Sequence, residues 1–218
     1  YSGNFYMNLD IETPLSRIKN ILDRIQPSII VTNNNLIERL NEVNTGIKVI
    51  NIDKINFSES IDNDLLLQNI SKIIDTDPLC IINTSGSTGT PKGVVLNHKS
   101  FIDFTERAIE ILKIGENEII GSLSPLVFDI YSFELCMLMA KGSTIVLIPD
   151  NFAAFPALLL NWIKDNNVSF IFWVPTIMVN IANMDLLSKI PLPDLKTVWF
   201  AGEVFPTKQF NYWKKHLH

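Results

Sequence analysis

Several features are scarce or missing in this chain, and each absence removes a class of function. Cysteine occurs twice, at Cys80 and Cys136, far apart in apolar surroundings and outside any C-x-x-C pair. That pattern argues against a disulfide framework and against a zinc site, so no metal ligands are expected and a reducing, cytoplasmic setting is. A basic stripe is missing too: 18 Lys and Arg against 23 Asp and Glu leave a net charge of -5. Without a phosphate-neutralising surface, nucleic-acid partners are not expected. The longest apolar run, FAAFPALLL from Phe152 to Leu160, is interrupted by Pro156 and is about half of the roughly 20 residues that span a bilayer. It reads as a buried helix, and no membrane partner is expected. The chain has no initiator Met and no secretory n-region or h-region, and it stops at His218 just after a helical pattern; a fragment is expected. Finally, no GxGxxG string occurs, which argues against a Rossmann dehydrogenase because that fold needs a Gly-rich turn leading into a helix.

What is present is a globular composition, 47% hydrophobic over 218 residues, enough to bury a full core. Leu15, Ile18, Ile21, Leu22 and Ile25 repeat at helical spacing, and SIIVT (28–32) follows as a strand. A short helix over 36–40, a strand over 47–52 and a helix over 64–74 continue the alternation, the last with Leu65, Leu66 and Ile70 on its apolar face. The Asn/Ile-rich stretch from Asn33 to Asn63 is monotonous and reads as carrying a surface loop. LCIIN (79–83) and GVVLNH (93–98) are the one place where strand follows strand, with His98 ending the second and assigned no catalytic role. From Ser100 the pattern settles. Helices over 100–112, 129–140, 153–164, 176–187 and 207–215 alternate with strands over 119–123, 143–148, 168–174 and 196–201. Such alternation predicts an α/β fold of βαβ units, with mostly parallel sheets covered by helices. A subdomain boundary is expected near 75–100.

Between the paired strands lies TSGSTGTPKG, with glycines at 86, 89 and 93, hydroxyls at 84, 85, 87, 88 and 90, and a lysine at 92. Glycines let backbone N–H groups approach anionic oxygens, hydroxyls add neutral donors, and Lys92 supplies a mobile charge, so the loop suits a polyphosphate. It is not a Walker A element: GxxxxGK[ST] cannot be placed on it, and a strand follows it. On composition alone, a long hairpin turn fits as well.

The string itself resembles the phosphate-loop signature of the adenylate-forming superfamily, which contains amino-acid-activating adenylation domains, acyl-CoA ligases and luciferases. Two further segments are similar to that family. SGNFYMNLDIETPLSRIKNIL matches an early G-x-Y-x-P-L-D-x-x-x-P-x-x-R-I segment at Gly3, Tyr6, Leu9, Asp10, Pro14 and Arg17, with Asn8 where proline is usual. FDIYSFE (128–134) resembles the F-D-x-S-x-x-E segment of amino-acid-activating members, with Tyr131 in place of serine. The resemblance implies the large N-terminal domain of an adenylate-forming enzyme, covered over essentially all 218 residues. It also implies ATP-dependent activation of a carboxylic acid as its acyl-adenylate, with release of pyrophosphate. AGEVFP (201–206) resembles the D-alanine ligases of cell-wall modification.

The same resemblance implies roles. Thr84, Ser85, Gly86, Ser87, Thr88 and Gly89 would cradle the phosphates; Lys92 would hold the departing pyrophosphate, with Thr88 beside it in the catalytic set. Ala201, Gly202 and Glu203 would lie against the adenine. Asp129 would pair with a substrate α-ammonium, although a helix N-cap is the plain alternative for an Asp before an apolar helix. Ile130, Phe133, Phe172, Trp199 and Ala201 would shape the side-chain pocket, whose bulk suggests a small amino acid; packing is the plain alternative for each. ATP and Mg²⁺ are the implied cofactors, with the main magnesium-binding glutamate, the ribose-binding aspartate and the C-terminal domain with its lysine expected beyond residue 218. A carrier protein's phosphopantetheine thiol is the implied acceptor. An acyl- or aryl-CoA ligase and a catalytically silent nucleotide-binding module are the alternatives. Because the loop acts by positioning and neutralising charge, Lys92→Ala is expected to slow adenylation strongly in ATP–pyrophosphate exchange, and unchanged exchange would remove Lys92 from the reaction.

Overall fold

In the computed structural model, which describes residues 2–43, 45–58, 60–84 and 92–217, the apolar repeat near the start forms α1 (Leu15–Ile25) and buries Ile18, Ile21 and Leu22. The helix closes at Gln26, whose left-handed backbone (φ 48°) turns its N–H onto the Leu22 carbonyl at 2.8 Å. The chain then forms β1 (Ile29–Thr32), α2 (Ile37–Asn41) and β2 (Lys48–Asn51), and β1 and β2 pair in parallel. Ile18, Leu22 and Val43 make the small core here, with Leu9, Ile30 and Leu40 packed on it. These elements belong to the first of two units, Tyr1–Asn97 and His98–His218.

The helix expected to run to Ile74 is shorter. α3 (Asn63–Ile70) starts where the Asp62 carboxylate accepts the Leu65 N–H at 2.9 Å. It stops because the next residues fold into turns, with Ile73 N–H on the Ile70 carbonyl and the Asp77 carboxylate accepting Ile74 N–H. Nor does its apolar face find a core: α3 buries no residue, and Leu65 is 51% exposed. The first unit ends in an antiparallel hairpin of β3 (Pro78–Thr84) and β4 (Lys92–Asn97), with Tyr6 bridged in parallel to Cys80.

His98 opens a helix instead of closing the strand. The second unit runs α4 (His98–Leu112), β5 (Ile119–Ser122), α5 (Asp129–Lys141), β6 (Thr144–Leu147), α6 (Pro156–Asp165), β7 (Phe170–Trp173), α7 (Pro175–Asn183), β8 (Thr197–Phe200) and α8 (Thr207–His216). Its four strands form one parallel sheet in the order β6-β5-β7-β8. Successive side chains of a strand point to opposite faces, and all four residues of β7 are buried. Phe170 and Phe172 join Ile120, Ala108, Phe133 and Met137 beneath α4 and α5. Ile171 and Trp173 join Leu159, Leu160, Ile163, Met178, Ile181 and Trp213 beneath α6, α7 and α8. Each such side chain contributes about 1.5–3 kcal/mol on burial, so the covered parallel sheet is the energetic centre of this unit.

Two expected helices have different limits. The run FAAFPALLL is not one buried helix: Asp150–Ala154 forms a 3₁₀ turn, Phe155 is the cap residue, and α6 starts at Pro156. Proline suits that first position because its missing N–H would be unpaired there. Phe155 and Leu158 are exposed, whereas Leu159 and Leu160 are fully buried. α7 ends at Asn183, short of the expected Leu187, and Asp185 turns left-handed at φ 50°. Leu186 and Leu187 stay in the core outside the helix, with the Leu187 N–H donated to the Tyr212 hydroxyl at 2.9 Å. Among the described residues, no helix is long and apolar enough to cross a membrane.

Gly121, on β5, is the tightest point in the sheet. A Cβ there would stand 2.8 Å from Ile163 Cδ1, 3.0 Å from Val168 Cγ1 and 3.3 Å from Ile171 Cγ2. The Gly121 carbonyl also accepts the Trp173 indole N–H at 3.1 Å. Gly121→Ala is therefore expected to destabilise by about 1–3 kcal/mol through overpacking. Gly115→Ala, where a Cβ would meet nothing within 4 Å, is expected to change little; denaturant midpoints of the two variants check the difference.

Candidate functional site

In a parallel sheet every strand ends on the same edge, and ligands bind beyond that edge where the strand order reverses. Here β5 leads outward to β6, and the chain then returns past β5 to β7 and β8, so the reversal lies between β5 and β7. A pocket of about 500 Å³ opens there. Leu123 and Ser124, just past β5, line it, as do Asp150 and Ala153 past β6, Phe172, Trp173 and Val174 at the end of β7, and Ala201, Gly202 and Glu203 past β8. Phe128, Asp129 and Ile130 close it from the start of α5, and Ile177 from α7. The wall is mainly apolar, with three carboxylates, Asp129, Asp150 and Glu203, set into it.

Asp129 is the first residue of α5, while Phe128 holds the cap position without a side-chain bond. The alternative of an N-cap thus does not describe its place, although its Oδ1 does accept the Ile130 N–H at 3.0 Å. Glu203 serves a second helix: its Oε2 accepts the Thr176 N–H at 2.9 Å and the Thr176 hydroxyl at 2.5 Å. It supplies from outside the capping acceptor that Val174, the cap residue of α7, lacks. Gly202 beside it holds φ 90°, a conformation that a side chain would strain.

Of the residues singled out in the sequence, Asp129, Ile130, Phe172, Ala201, Gly202 and Glu203 come together around this pocket. Phe133 and Trp199 do not line it. They stand behind the wall in an aromatic cluster, where Phe172 stacks on Trp199 at 4.5 Å, Phe133 meets Trp199 edge-on at 5.2 Å and Phe104 stacks on Trp199 at 6.2 Å. Phe133 is 2% exposed and fixes Phe172 from behind. In the first unit, Thr84 and Lys92 face each other across the hairpin, and the Thr84 hydroxyl donates to the Lys92 carbonyl at 3.3 Å. Ser85, Gly86, Ser87, Thr88 and Gly89 lie outside the described residues.

Sequence reasoning missed the wall residues Leu123, Ser124, Asp150, Val174 and Ile177. Their signal was position, since most follow the end of a strand by one to three residues. It also gave no role to Glu134, the last residue of FDIYSFE. Glu134 is fully buried, its Oε2 accepts the Ser122 hydroxyl at 2.5 Å, and its Oε1 has no hydrogen-bond partner among the described residues.

A pocket at the strand reversal of a parallel α/β unit is where such folds bind small ligands. The AMP-binding enzyme family matches residues 1–218, and the chain belongs to that family. It is 29% identical over 214 residues to an L-proline--[L-prolyl-carrier protein] ligase of Pseudomonas fluorescens, covering 96% of this chain and 43% of the relative. It is 29% identical over 205 residues to a D-alanine--D-alanyl carrier protein ligase of Staphylococcus aureus, covering 94% and 40%. The chain thus spans less than half the length of these relatives. Its fold matches that of the Vibrio cholerae adenylation domain AlmE, solved in complex with glycyl-adenosine-5'-phosphate, at a TM-score of 0.81 and 17% identity over 99% of this chain and 44% of that one.

Burial pushes the Glu134 carboxyl up from its ordinary 4.5 to about 7, against the smaller opposing effect of the Ser122 hydrogen bond. A raised carboxyl pKa means that the folded chain holds the proton more tightly than the unfolded one. The contribution is fully present below pH 4.5 and is lost as pH rises to about 7. The loss is on the order of 3 kcal/mol at 1.36 kcal/mol per unit. Glu134→Gln, which keeps a neutral group of the same shape, is expected to remove this slope; stability curves at pH 5 and pH 8 check it.

Proposed function

We propose that the full-length protein activates an amino acid, with ATP, as its aminoacyl-adenylate and passes it to a carrier-protein thiol. The observation that carries this reading is Asp129, a carboxylate at a helix start set into a mainly apolar pocket at the strand reversal. A carboxylate set into such a wall recognises an ammonium group through a charge-assisted hydrogen bond, and fatty and aryl acids carry no such group. The relatives named as proline and D-alanine carrier-protein ligases support the same reaction class.

In this reading the acid's ammonium binds Asp129, its side chain meets Ile130 and Phe172, and the adenine lies along Ala201, Gly202 and Glu203. Phe172, held by Trp199 and Phe133, limits the space near the acid and favours a small amino acid. The segment TSGSTGTPK (84–92) would hold the ATP phosphates, with Thr88 and Lys92 assigned to the departing pyrophosphate by its resemblance to the phosphate-loop signature. The carboxylate attacks the α-phosphorus, forming the acyl–phosphate bond as the bond to pyrophosphate breaks, so the protein contributes orientation and charge neutralisation. Mg²⁺ would belong to this chemistry, but among the described residues no group of three His, Cys, Asp or Glu could hold a metal ion. These 218 residues, which cover 43% and 40% of the two carrier-protein ligases, are expected to give negligible turnover by themselves.

The mainly apolar wall also favours a second reading, an acyl- or aryl-CoA ligase. Pyrophosphate exchange into ATP, measured on the full-length protein across the proteinogenic amino acids, D-alanine, and several fatty and aryl acids, separates the two. Exchange with one small amino acid is expected; exchange only with non-amino acids would establish the second reading, and ATP binding without exchange would indicate a silent nucleotide-binding module. Asp129→Asn is expected to raise the amino-acid KM by about ten- to a hundredfold, the equivalent of about 1.5–3 kcal/mol for a hydrogen bond to a charged group. Its thermal unfolding should hardly move. Equal losses of binding and stability would instead make Asp129 a structural residue.

A further inference from the structure

Glu134 is the one acid in the second unit that is fully buried, and the adenylation reading gives it no task. Its place in the fold does. Ser122 is the last residue of β5, so the two wall residues Leu123 and Ser124 follow it directly. Glu134 lies on α5, four residues after Ile130 and five after Asp129, the wall residues of the helix start. The bond from the Ser122 hydroxyl to Glu134 Oε2, 2.5 Å long and 0% exposed at the glutamate, therefore joins the two segments that build one side of the pocket. Apolar packing of Phe133 and Met137 presses α5 onto the sheet, and the Ser122–Glu134 bond adds a directional constraint to that packing.

We propose that Glu134 is a positioning residue that, through Ser122, locks the start of α5 against the end of β5 and so sets where Asp129 meets the acid substrate. The burial supports a neutral carboxyl in this role. The ion pairs among the described residues are Lys19 with Asp23 and Arg107 with Glu110, both at the surface, and neither reaches Glu134. An ionised carboxylate here would be desolvated with one oxygen unpaired, at high cost. As the acid it keeps the Ser122 bond with no charge to compensate, and glutamine can do the same.

The inference rests on the adenylation reading for its kinetic readout, so the test has two arms. In ATP–pyrophosphate exchange by the full-length protein, Glu134→Ala is expected to raise the KM of the acid about tenfold or more, with the KM of ATP within about twofold of wild type. Glu134→Gln should restore the acid KM to within about threefold. Ser122→Ala, a smaller deletion that keeps the fold if Glu134→Ala does not, should raise the acid KM in the same direction. The second arm is amide hydrogen exchange over 122–124 and 129–137, which needs no turnover; faster exchange in Glu134→Ala and Ser122→Ala, but not in Glu134→Gln, is expected. A fall in apparent kcat with unchanged acid KM, or a glutamine variant as impaired as the alanine one, would overturn the proposal, because lost packing alone lowers the active fraction without moving KM. If wild type exchanges with no acid, the adenylation reading falls, and hydrogen exchange by itself decides whether the Ser122 bond sets the register of α5.

Discussion

Burial of β7 on both faces is the constraint on which the second unit depends. A strand with no solvent face must be apolar at every position and must have a helical layer on each side, and Phe170, Ile171, Phe172 and Trp173 meet the first condition. The second is met by α4 and α5 under one face and by α6, α7 and α8 under the other. Such a strand also needs neighbours on both edges to pair its backbone, which β5 and β8 provide. Parallel pairing then forces all four strand ends onto one edge. The pocket is a consequence of that edge and of the reversal between β5 and β7.

Several of the polar groups near this core bond to backbone or across elements. The Trp173 indole donates to the Gly121 carbonyl, and the Trp213 indole to the Met178 carbonyl, so the two largest buried side chains spend their only polar atoms on backbone. Glu203 gives α7 the capping acceptor that its own cap residue lacks. Ser122 and Glu134 connect sheet to helix. These bonds are directional where the surrounding packing is not.

Much of the strand and helix order is legible in the sequence because the signals are local. The helical repeat of α1 and the unbroken apolar run of β7 each need only their own residues to be read. What was not legible depends on partners distant in the chain. The apolar residues of α3 look like a packing face, yet Leu65 remains half exposed because no element covers it. Phe155 belongs to an apolar run but caps a helix instead of entering it. Within the pocket, Phe172 and Trp199 read alike as large apolar residues paired on adjacent strands, and only the course of the chain beyond β7 and β8 decides that one lines the wall while the other stands behind it. Asp150 had no helical or strand pattern to mark it, and Glu134 was visible in its motif without a role because a buried acid cannot be told from an exposed one by spacing.

The division of labour between wall and core has one exception. Leu123, Ser124 and Asp150 sit on connecting segments, so replacing them reshapes the cavity while leaving the sheet intact. Phe172 is different: it is 7% exposed, belongs to the core cluster under α4 and α5, and also faces the cavity. A change at this position that enlarges the cavity also removes core contacts worth about 3–5 kcal/mol for a phenylalanine truncated to alanine. The shape of the cavity can therefore change through its loops at little cost, but a change that passes through Phe172 requires a compensating gain elsewhere in the sheet first, which orders the sequence in which new cavity shapes can evolve.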